Sequence, residues 1–192
     1  MERPALRPLN GDQGHYRAQQ DRYQGSEERE EGEVPQQDAD DGAISLTISK
    51  ILSSDPSRSV DALKEVQRVL EIGPDEGPSS LRYRELSDHT EGLMETITLQ
   101  INHVFENAQS LDEPDTFRVA KHLIHTINAF CDHPLLAESL QVEILTSLFE
   151  ELTLRLLQTD ESPSSKVKDL SKFINMIILR LFASSRKMTV LR

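Results

Sequence analysis

The chain has 192 residues, a formal net charge of −12 and a single cysteine, which is enough for one continuous core or a short solenoid. Its acidity is spread along the sequence with no basic run to track phosphates, so nucleic acid and an anionic membrane surface are both disfavoured as partners. Cys131 alone cannot close an internal disulfide and fits a reducing compartment, Met1–Arg7 has no apolar run of a signal kind, and the most apolar stretch, Phe173–Phe182, is too short to span a bilayer.

Residues 1–42 are rich in Gln, Gly, Glu, Asp and Arg and nearly devoid of aliphatic side chains. The run Glu27-Glu28-Arg29-Glu30-Glu31-Gly32-Glu33 repels itself, and nothing near it buries enough surface to offset the entropy of ordering. This segment reads as a disordered acidic tail or linker. From Ile44 the pattern becomes helical. Ile44, Ile48, Ile51 and Leu52 form a short apolar face, and Val60, Leu63, Val66, Val69 and Leu70 form the next, ending at Gly73-Pro74.

A long helix is expected from Tyr83 to Asn107 on Leu86, Leu93, Met94, Ile97, Ile101, Val104 and Phe105. Another opens at Pro114, with Phe117, Ala120, Ile124, Ile127 and Cys131 on one side. A fifth covers Leu135 to Gln158 around Leu140, Ile144, Leu148, Leu152 and Leu156, and is apolar over much of its circumference. The sixth spans Ser165 to Ser184 through Val167, Leu170, Ile174, Ile177 and Leu181, and Met188–Arg192 looks like the first turns of another helix. No strand pattern occurs, so the chain is predicted to be all-α.

Three breaks punctuate these helices: Ser53-Ser54-Asp55-Pro56, Leu111-Asp112-Glu113-Pro114 and Glu161-Ser162-Pro163. Each places a proline where the first turn of a helix tolerates it, and Asp55 or Ser162 is a natural cap. Their spacing of roughly fifty residues predicts stacked helical hairpins, an architecture that binds other proteins and rarely catalyses.

Catalysis finds no support in the side chains. His122, His125, Cys131 and His133 have the chemistry of zinc ligands, but a helical advance of ~100° per residue turns Cys131 to the side opposite His122. The simpler reading is a buried thiol with solvent-facing histidines, against the alternative of a metal-dependent enzyme built on His122 and His125. Ser87-Asp88-His89 has the letters of a hydrolase triad, yet adjacent helical positions diverge and cannot relay a proton. The pair Glu150-Glu151 fails for the same reason, and no phosphate loop, metalloprotease motif or nucleophile elbow is present. No cofactor is expected.

The segment Ile44-Ser45-Leu46-Thr47-Ile48-Ser49-Lys50-Ile51 through Ser59-Val60-Asp61-Ala62-Leu63-Lys64-Glu65-Val66 resembles the opening helix pair of the last TOG-like HEAT region in the mini spindles family of microtubule polymerases. A short first helix, the Ser-Asp-x-x-x-Ser break and the Ala-Leu-Lys-x-Val second helix carry the similarity. Leu93 to Phe105, Phe117 to Phe130 and Ser171 to Leu181 follow in the same order over residues 44–192. The resemblance implies a HEAT-repeat α-solenoid of about three helix pairs. It also implies a role in catching αβ-tubulin, extending microtubule plus ends and organising spindles, centrosomes and kinetochores, in the cytoplasm on the cytoskeleton.

In tubulin-binding members of this family, the turns inside each helix pair meet tubulin through a tryptophan and basic residues. The corresponding turns here are Ser53–Ser57, Ser110–Asp115 and Thr159–Ser165, and the contact candidates are Ser54, Asp55, Ser57, Arg58, Asp112, Glu113, Asp115, Asp160, Glu161 and Ser164. The chain has no tryptophan, these turns are acidic, and Arg58 is the nearest base. Two negative surfaces repel, so docking or architecture is expected rather than the usual tubulin contact. The partners expected are tubulin or microtubules through the full-length protein, and other microtubule-associated adaptors. Domains of the family hold roughly twice as many helix pairs, which implies a fragment truncated at its C-terminus. The alternative is a general HEAT or armadillo adaptor unrelated to microtubules.

Overall fold

The computed structural model describes the backbone of residues 35–190 and the side chains of residues 43–184. The chain divides into two compact units, Met1–Ala43 and Ile44–Arg192. Helix α1, Pro35–Lys50, includes the end of the stretch read as a tail. The rest of that stretch, residues 1–34, lies outside the described residues. The account below concerns the second unit.

Helix α2 spans Pro56–Glu71, α3 Leu81–Asp88, α4 Thr90–Phe105, α5 Pro114–Phe130, α6 Pro134–Glu138, α7 Val142–Asp160 and α8 Ser165–Val190, with no strand among the described residues. The chain is all-helical. Asp55 caps α2, its Oδ1 accepting the Ser57 N–H at 3.0 Å, and Gly73 ends the following turn at φ 85°, a conformation glycine adopts without strain.

Three boundaries differ from the sequence expectation. The helix foreseen from Tyr83 to Asn107 breaks at His89, whose backbone leaves the helical region at φ −121°, ψ 19°. Side chains here bond the local backbone instead of extending the helix: His89 Nδ1 donates to the Glu85 carbonyl at 2.8 Å, and Thr90 Oγ1 donates to the Ser87 carbonyl at 3.5 Å. The helix foreseen from Leu135 to Gln158 divides into α6 and α7, because Ser139 Oγ donates to the Leu136 carbonyl and Gln141 adopts extended geometry. The sixth helix does not stop at Ser184. No glycine or proline follows to end it, and α8 continues unbroken to Val190, into the segment read as the start of another helix.

Packing forms two layers. Helices α2, α5 and α8 lie side by side in that order, and α4 packs beside α7. α4 also packs on α5, and α7 on α8, so each of these pairs gives one helix to each layer. Ile44 and Ile48 of α1, with Ile51 just after it, enter the same core, which is centred on Leu63, Leu93, Met94, Phe105, Leu123 and Phe130. Each such side chain contributes about 1.5–3 kcal/mol when fully buried. The arrangement is consistent with an α-solenoid.

Candidate functional site

The α1–α2, α4–α5 and α7–α8 turns are brought together in a row. Between the first two lies a cavity of about 330 Å³, lined by Ser53, Ser54, Pro56, Gln100, His103 and Ser110 among others. Between the second and third lies one of about 470 Å³, whose lining includes Gln109, Asp112, Gln158, Glu161 and Ser164. The second and third turns are also bonded directly. Ser164 Oγ donates to Asp112 Oδ1 at 2.7 Å, and Lys166 Nζ donates to the Asp112 carbonyl at 2.7 Å.

Each turn is held from behind by buried groups. In the first, Ser59 is fully buried and donates its hydroxyl to the Ile51 carbonyl at 2.7 Å, while Gln100 of α4 reaches it at 3.4 Å. The Ser-Asp-x-x-x-Ser break therefore has a mechanical basis: Asp55 starts α2 and Ser59 ties it to the end of α1. In the second, Leu111 is buried and anchors a short 3-10 turn, Ser110–Asp112. Behind the third, Arg155 bonds Glu151 and Gln158, and Gln158 Nε2 donates to the Phe105 carbonyl at 2.8 Å. This joins α7 to the carbonyl end of α4, where backbone acceptors lack helical partners.

The candidate contact residues divide by what already engages them. Asp55 is occupied as a cap and Asp112 as the hub of the Ser164–Lys166 contact. Ser54, Ser57, Arg58, Glu113, Asp115, Asp160 and Glu161 are exposed. Among the described residues, Glu113, Asp115, Asp160 and Glu161 have no ion-pair partner. Arg58 is not the only base on this edge. Lys166 joins it, with its ammonium over the Phe117 ring at 5.0 Å. Its position is set by packing between α5 and α8, which spacing along the chain does not reveal.

The His and Cys group is dispersed. His122 and His125 share a face with ring centroids 6.4 Å apart, but neither is fully solvent-facing. His122 Nδ1 lies 3.4 Å from Gln67 Nε2, and His125 packs edge-on against Phe173. Burial holds both imidazoles below their ordinary pKa, with nearby cations adding to the effect. Cys131 is buried, and desolvation pushes its thiol up to about 11.

The expectation of a solvent-facing histidine fails outright at His133, which is 2% exposed. Its Nε2 donates to the Leu70 carbonyl at 2.8 Å, and its Nδ1 meets the Tyr83 hydroxyl at 2.7 Å. The Leu70 carbonyl can only accept, so Nε2 carries the proton and, in the neutral ring, Nδ1 accepts from the phenol. Three elements are clasped by one imidazole. Among the described residues no three His, Cys, Asp or Glu side chains converge as a metal site, and no helix is long and apolar enough to cross a membrane.

No known family model matches this chain, and neither a curated protein nor a solved structure shows significant similarity to it.

Proposed function

We propose that this chain is a HEAT-repeat, TOG-like module of a microtubule-associated protein, acting by protein–protein contact without catalysis. The observation that carries the reading is the row of three intra-pair turns along one edge of two stacked helical layers. Helical solenoids present such edges to their partners. The residues behind the resemblance support it, because Asp55 and Ser59 perform defined mechanical tasks at the first turn.

The charge of the edge selects among microtubule roles. Four unpaired carboxylates face solvent, and Lys166 is engaged by Asp112 and Phe117. An acidic protein surface is repelled by this edge, so its role is docking to another microtubule-associated protein at the spindle, centrosome or kinetochore, with tubulin engaged by the larger assembly. The acidic edge and the absence of tryptophan also favour a second reading, a general HEAT or armadillo adaptor.

Size-exclusion chromatography with light scattering, using the full chain and free αβ-tubulin at low and physiological salt, tests the role. The docking reading expects the two proteins to elute separately at physiological salt. A stable stoichiometric complex would overturn it in favour of direct tubulin capture through another surface.

A further inference from the structure

Along the sequence the bases are scattered, but the fold gathers several of them on the outer side of the α2–α5–α8 layer. Gln67, one turn after Lys64 on α2, reaches His122 Nδ1 at 3.4 Å, which sets Lys64 beside the face of α5 that carries Arg118, Lys121, His122 and His125, and Phe173 of α8 closes the group against His125 with centroids 5.3 Å apart. None of the three permanent cations has an ion-pair partner among the described residues. Arg118 and Lys121 are exposed and Lys64 is half-buried, so all three reach solvent on this face.

We propose that this cationic face is a docking surface for a carboxylate-rich segment of a partner protein. Charge complementarity selects the partner's chemistry, since ammonium and guanidinium groups outside any ion pair attract and orient carboxylates. Arg118 adds a planar fork suited to a bidentate carboxylate. Phe173, 39% exposed beside His125, provides an apolar contact that a segment with an aliphatic or aromatic residue among its acids would cover. The surface is bounded as well. Asp61, Asp115 and Asp169 each lie one turn before Lys64, Arg118 and Phe173 on their respective helices. These carboxylates interrupt the continuous basic track that a phosphate backbone requires, which favours a short acidic peptide over nucleic acid. The inference goes beyond the microtubule reading and does not depend on it, because its cations lie on the bodies of α2 and α5, and the face meets the turn edge only at Asp115.

The test uses the full chain and a fluorescein-labelled decaglutamate peptide, with anisotropy read at low salt and at about 150 mM salt. The patch variant is Lys64→Gln, Arg118→Gln, Lys121→Gln. The control, Lys50→Gln, Arg84→Gln, Lys168→Gln, makes the same change in net charge at exposed bases elsewhere. Circular dichroism establishes that both are folded. Wild type is expected to bind, the patch variant to lose ~10-fold or more in affinity, and the control to change less than ~2-fold. Absence of binding by wild type at low salt would overturn the proposal, as would equal losses in the two variants. Tighter, patch-dependent binding of a single-stranded oligothymidylate of the same length would overturn the peptide assignment in favour of nucleic acid.

Discussion

Replacing His133 by alanine tests the clasp that fixes the α2–α5–α6 corner. The imidazole is 2% exposed and serves two buried groups, the Leu70 carbonyl at 2.8 Å and the Tyr83 hydroxyl at 2.7 Å. Burial also raises the Tyr83 pKa, so its phenol holds its proton as a donor. Each buried polar group left without a partner costs about 1–3 kcal/mol. Two such groups lower the stability by about 2–6 kcal/mol, equivalent to a fall in Tm of roughly 4–24 °C for a chain of this size. Urea unfolding followed by circular dichroism measures the loss, and a double-mutant cycle with Tyr83→Phe isolates the pair. A coupling of about 1 kcal/mol or more is expected. A loss below about 0.5 kcal/mol, or strict additivity with Tyr83→Phe, would refute the clasp.

Other perturbations follow from the same geometry. A Cβ at Gly77 would stand 2.6 Å from Tyr83 Cε1, so Gly77→Ala displaces the ring and destabilises by about 1–3 kcal/mol. Thermal melts should show most of that penalty vanishing in a Tyr83→Ala background. His122 and His125 have folded pKa values below the ordinary 6.5, so the unfolded chain takes up these protons first as pH falls. Their contribution is complete above about pH 6.5 and declines through that value until the folded pKa is passed. Denaturant midpoints measured from about pH 8 to pH 5 should therefore fall less steeply in His122→Gln, His125→Gln than in wild type. Cys131, with its thiol pushed up to about 11 and its side chain buried, should react with a disulfide reagent far more slowly in the native protein than in urea. Equal rates in the two states would contradict its burial.

Most of the helical faces were legible because one period governs them. Val60, Leu63, Val66, Val69 and Leu70 are buried together on α2, and Val167, Leu170, Ile174, Ile177 and Leu181 on α8. Periodicity could not show the break at His89, since the apolar spacing runs on through Leu86 to Leu93 while local side-chain bonds end the helix. The division between α6 and α7 was hidden likewise, because Leu140 remains buried after leaving the helix. The three turns were legible as acidic, proline-marked breaks, but their alignment depends on tertiary contacts such as Ser164–Asp112, separated by 52 residues. His133 illustrates the limit most clearly. A polar residue beside Asp132 and Pro134 reads as a surface loop, and only the packing of α2 and α3 against it supplies the partners that let it be buried.

Imaging the fluorescently tagged full chain in dividing cells tests the proposed role of a contact module on microtubules. Enrichment on the spindle or at its poles, reduced when Asp112→Lys, Glu113→Lys and Glu161→Lys reverse the turn edge, is the predicted result. A uniform cytoplasmic signal from folded wild-type protein, or spindle enrichment unaffected by those reversals, would contradict it.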